Sequence, residues 1–279
     1  MRNTLRDTER SQTVVLNLRD RIMKLLTPIL LTLLIGVTGC VASGLDRKFN
    51  IYEQSKTPLG IEGLAEFFYW EFDENELLWG LEIGELSGIK GFRDSLNLRL
   101  GQSRFEKVIN KESTQSLDEE LLLTAINGDR RNALMIHTGK IGHIRPINLL
   151  EAQILNYQLV KYPLISHPTE FHGFIAFNEI QNKYRVYFGA SDQPWPPRPD
   201  LLLQQLTSDI KNGWQLKYHL HNHYEPESKD FLGILAPSMS DAQYFKMLSE
   251  EFDLEKALIT NGFHTVEIRS EDFAKLESY

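Results

Sequence analysis

His221 and His223 are separated by one residue in a segment whose pattern predicts a β-strand. Alternate side chains of a strand project from the same face, so both imidazoles can reach one metal ion. Neutral imidazole nitrogens bind Zn²⁺ at about 2.0–2.1 Å, and catalytic zinc sites combine three protein ligands with one open position. Asp241, in the first turn of the next predicted helix, would supply the third ligand. This spacing therefore predicts a catalytic zinc site.

Glu170 would complete the chemistry of such a site. Zinc lowers the pKa of bound water to about 7, and a nearby glutamate can then take the proton. Two plainer interpretations stay open. The histidines can belong to a solvated strand end, and Ser238 can be an N-cap followed by the acidic Asp241 in the first helical turn. The capping role of Ser238 is compatible with a position that faces the metal.

His219 makes the identity of the ligand pair ambiguous, because it forms a second pair of the same spacing with His221. The remaining histidines stand alone in the sequence, and a lone histidine is usually a surface residue or a hydrogen-bonded core residue. We interpret the following histidines in this way: His137, His143, His167, His172 and His264.

Local signals predict the strands and helices that must position these residues. The predicted strands are Ala133–His137, Ile141–Ile147, Glu170–Phe177, Lys183–Ala190, Trp214–Tyr218, Ala257–Thr260 and Phe263–Arg269. The predicted helices are Leu149–Val160 with Asn148 as its cap, Asp200–Lys211, a helix opened by Pro237–Asp241 that runs through Glu251, a last helix near Ser270, and a helix start at Ser116. Together they predict an α+β fold in which the histidine pair ends a strand.

The order of the chemical residues resembles the JAMM (JAB1/MPN/Mov34) metalloprotease motif. That motif consists of a glutamate, a His-x-His pair and a Ser-x-x-Asp sequence, which correspond here to Glu170, His221-Asn222-His223 and Ser238-Met239-Ser240-Asp241. The resemblance covers about residues 148–277. It implies a C-terminal JAMM/MPN-like mixed sheet flanked by helices.

The resemblance also implies a role for each residue. His221, His223 and Asp241 would be the zinc ligands. Glu170 would hydrogen-bond the metal water and act as general base, then as general acid to the leaving amine. Ser238 would donate its hydroxyl to the tetrahedral oxyanion, a role worth about 2.7–4 kcal/mol where one such donor has been removed. The implied reaction is hydrolysis of an amide bond.

Three features depart from the family pattern. The 14 residues between His223 and Ser238 form a longer connection than is usual, so a segment such as 227–233 must loop out. Phe177 stands where the family usually has a glycine. For the ambiguous histidines we prefer His221 and His223, because the Glu225-Pro226 sequence that follows resembles the family's exit from this strand.

The segment before Cys40 predicts an export signal. A positive start at Met23-Lys24 is followed by thirteen mainly apolar residues, Leu25–Val37, and then by Thr38-Gly39-Cys40. This run is shorter than the roughly 20 residues that a membrane-spanning helix needs. The Val-Thr-Gly-Cys ending resembles the lipobox of bacterial lipoproteins, in which the cysteine becomes lipid-modified and the chain is cut before it.

The lipobox resemblance implies a location. Cys40 is the only cysteine, so a disulfide is excluded and the thiol stands where lipidation needs it. The residue after it is Val41 rather than aspartate, which implies the outer membrane, facing the periplasm, within the cell envelope. The expected partner is thus the bacterial membrane, through lipid on Cys40.

Charge argues against a nucleic-acid partner. Six of the 30 Lys/Arg and three of the 38 Asp/Glu precede Cys40, so the chain from Cys40 onward has a net charge of −11. A strongly acidic surface does not favour binding to phosphate backbones or anionic lipids. We therefore expect no nucleic-acid partner.

These signals divide the chain into five regions. They are residues 1–22, which a translation start at Met23 would remove, the signal peptide 23–39, a lipid-anchored tether 40–57, a smaller N-terminal α/β region 58–147 whose fold and role the sequence leaves open, and a JAMM-like metal-binding domain 148–279.

Two functions fit these predictions. The first is a membrane-anchored, zinc-dependent amide hydrolase that acts on an unidentified peptide or protein substrate. The second is a non-catalytic envelope lipoprotein that uses a JAMM-like domain as a binding scaffold. The long connection after His223 and the large N-terminal region favour the second.

Overall fold

Eight strands of the computed structural model form one mixed β-sheet. The structure describes residues 56–62, 65–73, 86–109, 127–162, 164–165, 167–223 and 234–279, and all of them belong to one compact unit, Ile51–Tyr279. Cys40, the predicted signal peptide, nearly all of the tether, the helix start at Ser116 and the segment 227–233 lie outside the described residues.

The strands follow the order β1-β2-β5-β4-β6-β7-β8-β3 across the sheet. Only the pairing of β6 with β7 is parallel among the described strands, and the others are antiparallel. Their bounds are β1 Thr57–Glu62, β2 Ala65–Asp73, β3 His143–Pro146, β4 Phe171–Asn178, β5 Lys183–Ala190, β6 Gln215–Asn222, β7 Lys256–Thr260 and β8 His264–Arg269.

Seven helices lie in the described residues. They are α1 Ser87–Leu100, α2 Gln102–Ile109, α3 Asn127–His137, α4 Leu149–Lys161, α5 Asp200–Ile210, α6 Met239–Phe252 and α7 Ser270–Phe273. None of them is long and apolar enough to cross a membrane. The predicted class, an α+β fold with a mixed sheet and flanking helices, is therefore confirmed.

Helices cover both faces of the sheet because both faces are apolar. Tyr187 of β5 belongs to the large core cluster that includes side chains of α5 and α6. The next residue, Phe188, projects to the opposite face, where its ring lies 5.4 Å from that of Tyr157 in α4. This alternation is the two-residue period of a strand. α1 packs on α4 and forms an outer layer on that face.

Local signals position most elements correctly. Asn148 caps α4 through a complete capping box with Glu151, as its place before the apolar periodic stretch predicts. β4 and β5 occupy the two strands predicted there and pair as an antiparallel hairpin, and β7 and β8 pair around the Asn261-Gly262 turn. Gly262 has φ +87°, a conformation that glycine adopts without strain.

The predicted strand Ala133–His137 is wrong, because these residues end helix α3. A short apolar run does not distinguish a strand from a buried helix segment. Two of the α3 residues that face the rest of the protein are polar, which hides the helical pattern. Asp129 accepts a hydrogen bond from Met239 N, and Asn132 bonds the backbone of Glu277. With buried Ala133 and Ile136 they complete the helical spacing i, i+3, i+4, i+7 that hydrophobicity alone conceals.

The sheet extends through both regions that the sequence separates at residue 148. β1 and β2 pair onto β5 at one edge, and β3 pairs with β8 at the other. Apart from Thr57 of β1, these three strands belong to the region 58–147, so part of its role is to complete the sheet and supply both of its edge strands. The packing of α3 against α6 adds a contact from the same region.

α6 connects β6 to β7, which are parallel neighbours, and lies over the sheet face that carries His219. Parallel strands require such a crossover connection. The geometry brings the carboxyl end of β6 and the amino end of α6 to one edge of the sheet. Ligand sites of α/β units form at the carboxyl ends of strands, and the predicted site lies there.

Candidate metal centre

Three side chains converge where β6 ends and α6 begins. The Nε2 atoms of His221 and His223 lie 3.2 Å apart. An oxygen of the Asp241 carboxylate lies 3.3 Å from His223 Nε2, and the other oxygen lies 3.6 Å from His221 Nε2. Among the described residues, these form one group of side chains that could hold a metal ion, with ligand atoms within 4.8 Å of one another.

The sheet fixes the two histidines. His221 is paired with Ile259 in the parallel ladder of β6 and β7, and the backbone N–H of His223 donates to Thr260 O at 3.3 Å. His221 is buried and His223 is partly buried. Both imidazoles are thus held at the strand end on rigid backbone.

Asp241 is fixed by the start of α6. Ser238 is the N-cap, and a complete capping box joins the two residues in both directions. The backbone N–H of Ser238 donates to Asp241 Oδ2 at 2.8 Å, and the backbone N–H of Asp241 donates to Ser238 Oγ at 3.1 Å. A carboxylate in the first turn is also stabilised by the positive end of the helix dipole.

A contact behind His223 selects its metal-facing nitrogen. His223 Nδ1 lies 2.9 Å from Ile234 O. Since a carbonyl only accepts, Nδ1 carries the proton and donates it. Nε2 then faces His221 and Asp241, and this type of outer contact commonly orients histidine ligands in metal sites.

Charge is shared unequally within the group. Burial opposes protonation of His223, but the hydrogen bond and the charge of Asp241 outweigh it and raise the pKa of His223 to about 9. Burial would also raise the pKa of the Asp241 carboxyl, but the charge of His221 and the hydrogen bond with His223 hold it well below its usual range. His223 and Asp241 are therefore an ion pair at neutral pH.

His221 is neutral at the same pH. Burial lowers its pKa to about 4, and the charge of Asp241 offsets that effect only in part. A neutral imidazole is the form that binds zinc. His221 is thus ready to act as a ligand without losing a proton.

Glu170 lies beside this group, next to the neighbouring strand of the sheet. It immediately precedes β4, which pairs antiparallel with β6 so that Gly173 is opposite Leu220. The start of β4 and the end of β6 therefore share one edge. The charge of Glu170 contributes to the raised pKa of His223, which places the carboxylate within electrostatic reach of the group.

The hydroxyl of Ser238 is engaged within the cap. It donates to Asp241 Oδ2 at 2.8 Å and accepts from the backbone N–H of Asp241. The capping role predicted for Ser238 is confirmed. Its role as an oxyanion donor stays a prediction, because the hydroxyl is directed at the carboxylate.

His219 lies deeper on the same face and has a different partner. Its Nε2 lies 3.0 Å from His172 Nδ1, and both rings pack near Tyr244 of α6. Burial lowers the pKa of His172 to about 3 and that of His219 well below its usual value. Both are neutral core histidines. The structure thus pairs Asp241 with His221 and His223 rather than with His219.

Two residues that the sequence did not single out support the site. Asn222, between the two histidines, bonds the backbone on both sides of Glu170. Asp129 of α3 accepts a hydrogen bond from Met239 N at the start of α6. The position of Asn222 inside the His-x-His motif was a usable signal, whereas no local signal connects Asp129 to a helix 110 residues later.

The donor set fits a zinc ion. Two imidazoles and one carboxylate are an established ligand set for catalytic zinc, and two ligands of a tetrahedral zinc lie about 3.3 Å apart. The three donor separations, 3.2, 3.3 and 3.6 Å, are close to that value. The residues present could therefore hold zinc with little rearrangement.

Comparison with known proteins finds no matching family model, no matching curated protein and no matching solved structure.

Proposed function

We propose that this chain is a zinc-dependent amide hydrolase of the JAMM type, with a JAMM/MPN-like C-terminal region, acting on a peptide or isopeptide bond. The observation that carries the proposal is the convergence of His221, His223 and Asp241 at the end of β6. Support comes from the charge of Glu170 next to the same group. The JAMM motif contains these residue types in this order.

Each residue has a chemical task in the proposed reaction. His221, His223 and Asp241 would hold the metal, which when bound supplies positive charge that favours ionisation of water near neutral pH. Glu170 takes the proton from the attacking water and delivers it to the nitrogen of the leaving amine. General acid–base steps of this kind contribute about 10²- to 10⁴-fold to a rate.

Zinc content of the full-length chain tests the metal centre. We expect about one zinc per chain, and a loss of most of it in His221→Ala, since two ligands do not retain zinc as three do. His143→Ala is the matched control, because His143 is exposed on β3. Zinc measured by mass spectrometry should be unchanged in that variant. A folded wild-type chain without affinity for zinc contradicts the proposal.

Cleavage of a peptide library by the zinc-loaded chain tests the reaction. Glu170→Gln preserves the shape of the side chain but cannot take a proton. We expect it to keep zinc and to lower kcat by about 10²- to 10⁴-fold. Unchanged cleavage in Glu170→Gln refutes the assignment of the base.

The second candidate function is a non-catalytic binding scaffold, and the engaged hydroxyl of Ser238 favours it. A hydroxyl used inside a capping box is not directed at a substrate oxyanion. Ser238→Ala distinguishes the two. A scaffold should lose only about 0.5–2 kcal/mol of stability with the cap, whereas a hydrolase should also lose kcat by about 10²- to 10³-fold. Ser238→Thr keeps the hydroxyl and should retain both properties.

The protein is further proposed to be a lipoprotein of the cell envelope, anchored through Cys40 and facing the periplasm from the outer membrane. The lipobox resemblance supports this location. Labelling of cells with radioactive palmitate should mark the wild-type chain and a Ser43→Ala control, but not Cys40→Ser. Equal label in Cys40→Ser, or recovery of the wild-type chain without label, contradicts the anchor.

A further inference from the structure

Asn222 lies between the two proposed histidine ligands, but its side chain is directed at β4. Its Oδ1 accepts a hydrogen bond from Phe171 N at 3.1 Å. Its Nδ2 donates to Thr169 O at 2.8 Å. The amide therefore binds the backbone immediately before and immediately after Glu170, and all of these polar groups are buried.

We propose that Asn222 is a positioning residue that holds Glu170 beside His223. The inference rests on the proposed function, in which Glu170 is the general base. It adds a residue that touches neither substrate nor metal and acts only through Glu170.

The pairing of β4 with β6 ends before it reaches Glu170, although β5 still pairs with Phe171, so the side-chain contact of Asn222 continues the connection between β4 and β6. The last backbone pair of β4 and β6 at this edge joins Gly173 to Leu220. Beyond it, the two hydrogen bonds of Asn222 replace the ladder. Without them, Thr169 O and Phe171 N would be buried polar groups without these partners, which costs about 1–3 kcal/mol each.

The contact also ties the base to the metal centre through one residue. Asn222 follows His221 and precedes His223 directly, so the backbone that carries the ligands also carries the amide. A displacement of about 1 Å in a catalytic group can cost about 10²-fold in rate. Asn222 therefore couples the position of Glu170 to that of the histidines.

Asn178 offers a matched control on the same strand. It stands at the opposite end of β4, and both asparagines are 1% exposed. Asn178 also makes two bonds to the backbone, accepting from Gln181 N at 3.0 Å and donating to Asn212 O at 3.3 Å. Asn178→Ala removes the same number of side-chain hydrogen bonds as Asn222→Ala, in this case partly buried ones, at the end of β4 away from Glu170.

The experiment compares Asn222→Ala, Asn178→Ala, Glu170→Gln and the double variant Asn222→Ala/Glu170→Gln in the full-length chain. We expect Asn222→Ala to bind zinc within about threefold of wild type, because all three ligands remain. Its kcat should fall by about 10- to 100-fold with little change in KM. The double variant should be no slower than Glu170→Gln, since Asn222 acts through Glu170.

Two kinetic results overturn the inference. One is a kcat for Asn222→Ala equal to that for Asn178→Ala, which would reduce Asn222 to a structural residue. The other is a double variant in which the two losses multiply, which would mean that Asn222 acts independently of Glu170. Should Asn222→Ala fail to fold, Asn222→Asp retains the acceptor for Phe171 N and permits the same comparison.

Hydrogen exchange separates failure of this inference from failure of the proposed function. A wild-type chain that cleaves no peptide removes the hydrolase proposal, and the positioning of Glu170 is then judged in the metal-free protein. Exchange of the Phe171 amide should be at least about tenfold faster in Asn222→Ala than in wild type or Asn178→Ala, because its acceptor is lost. Equal exchange in the two variants overturns the inference.

Discussion

His221 and His223 are two residues apart, yet the protein gives them different charges. Burial acts on both in the same direction, toward the neutral form. The hydrogen bond that His223 donates to Asp241, together with the carboxylate charge, reverses the outcome for His223 alone. At the scale of single residues, the candidate site therefore combines one ligand that is ready to bind and one that must first release a proton.

The proton on His223 predicts how zinc affinity depends on pH. Zinc needs neutral imidazole, and the metal-free pKa of His223 is about 9. At pH 6 zinc binding must therefore release about one proton, while His221, with a pKa of about 4, releases none. Affinity should rise about tenfold per pH unit through this range and level off above pH 9.

Calorimetry in buffers of different ionisation enthalpy measures that proton. The His143→Ala variant should release the same number of protons on zinc binding as the wild-type chain, because His143 is exposed and not part of the group. Release of no proton at pH 6 would show that His223 is already neutral in the metal-free protein or is not a ligand.

At the scale of elements, the site depends on how the amino end of α6 is held. Ser238 caps this helix and Asp241 lies in its first turn, so any movement of the turn moves a candidate ligand. α3 holds it from outside, because Asp129 Oδ1 accepts from the backbone N–H of Met239 at 2.7 Å. This N–H is one of the helix-start donors that have no partner within the helix.

Asp129→Ala should weaken both the fold and the metal site. Loss of a charged acceptor at a helix start costs about 1–2 kcal/mol, and zinc affinity should fall with the order of the α6 start. Urea unfolding and zinc titration measure the two effects. The Asp129→Asn variant keeps an oxygen acceptor, so it should lose less stability and less zinc affinity than Asp129→Ala. Zinc affinity unchanged in a destabilised Asp129→Ala would show that α6 holds Asp241 without help from α3.

At the scale of the whole molecule, the candidate ligands come from two elements that are joined by both the sheet and the crossover. His221 belongs to β6, near the middle of the eight described strands, and His223 follows this strand directly, whereas Asp241 belongs to the helix that leads to β7. An ion that binds both elements in the folded chain but not in the unfolded chain stabilises the whole unit.

Zinc should therefore raise the melting temperature of the full-length chain. At a free zinc concentration of 100 Kd the stabilisation is about 2.7 kcal/mol, which corresponds to about 5–10 °C for a unit of this size. Chelation should reverse the shift, and His221→Ala should show little of it. An equal shift in His221→Ala would place the stabilising zinc elsewhere on the chain.

The sequence by itself determined the elements that have local signals. Asn148 and Ser238 are caps whose side chains bond backbone within the same turn, and the Asn261-Gly262 turn is set by the positive φ of its glycine. Such contacts span three or four residues, so the neighbouring sequence is enough to predict them.

Only the tertiary structure decided which histidines meet Asp241. His219 and His223 have the same spacing from His221, and the choice depends on partners from other elements, His172 for the first and Asp241 with Ile234 O for the second. Helix α3 was mistaken for a strand for the same reason. The partners of its polar inward residues lie more than 100 residues away.

The support around Glu170 was likewise decided by pairing between strands. The pairing of β4 with β6 brings Asn222 to residues about 50 positions earlier in the chain. The hydrophobic periodicity of the sequence does not predict such a contact. The sequence thus determined the chemical groups of the candidate site and the local elements that carry them. Their mutual placement followed from strand register and helix packing, which are set by burial of distant apolar surfaces rather than by neighbouring residues.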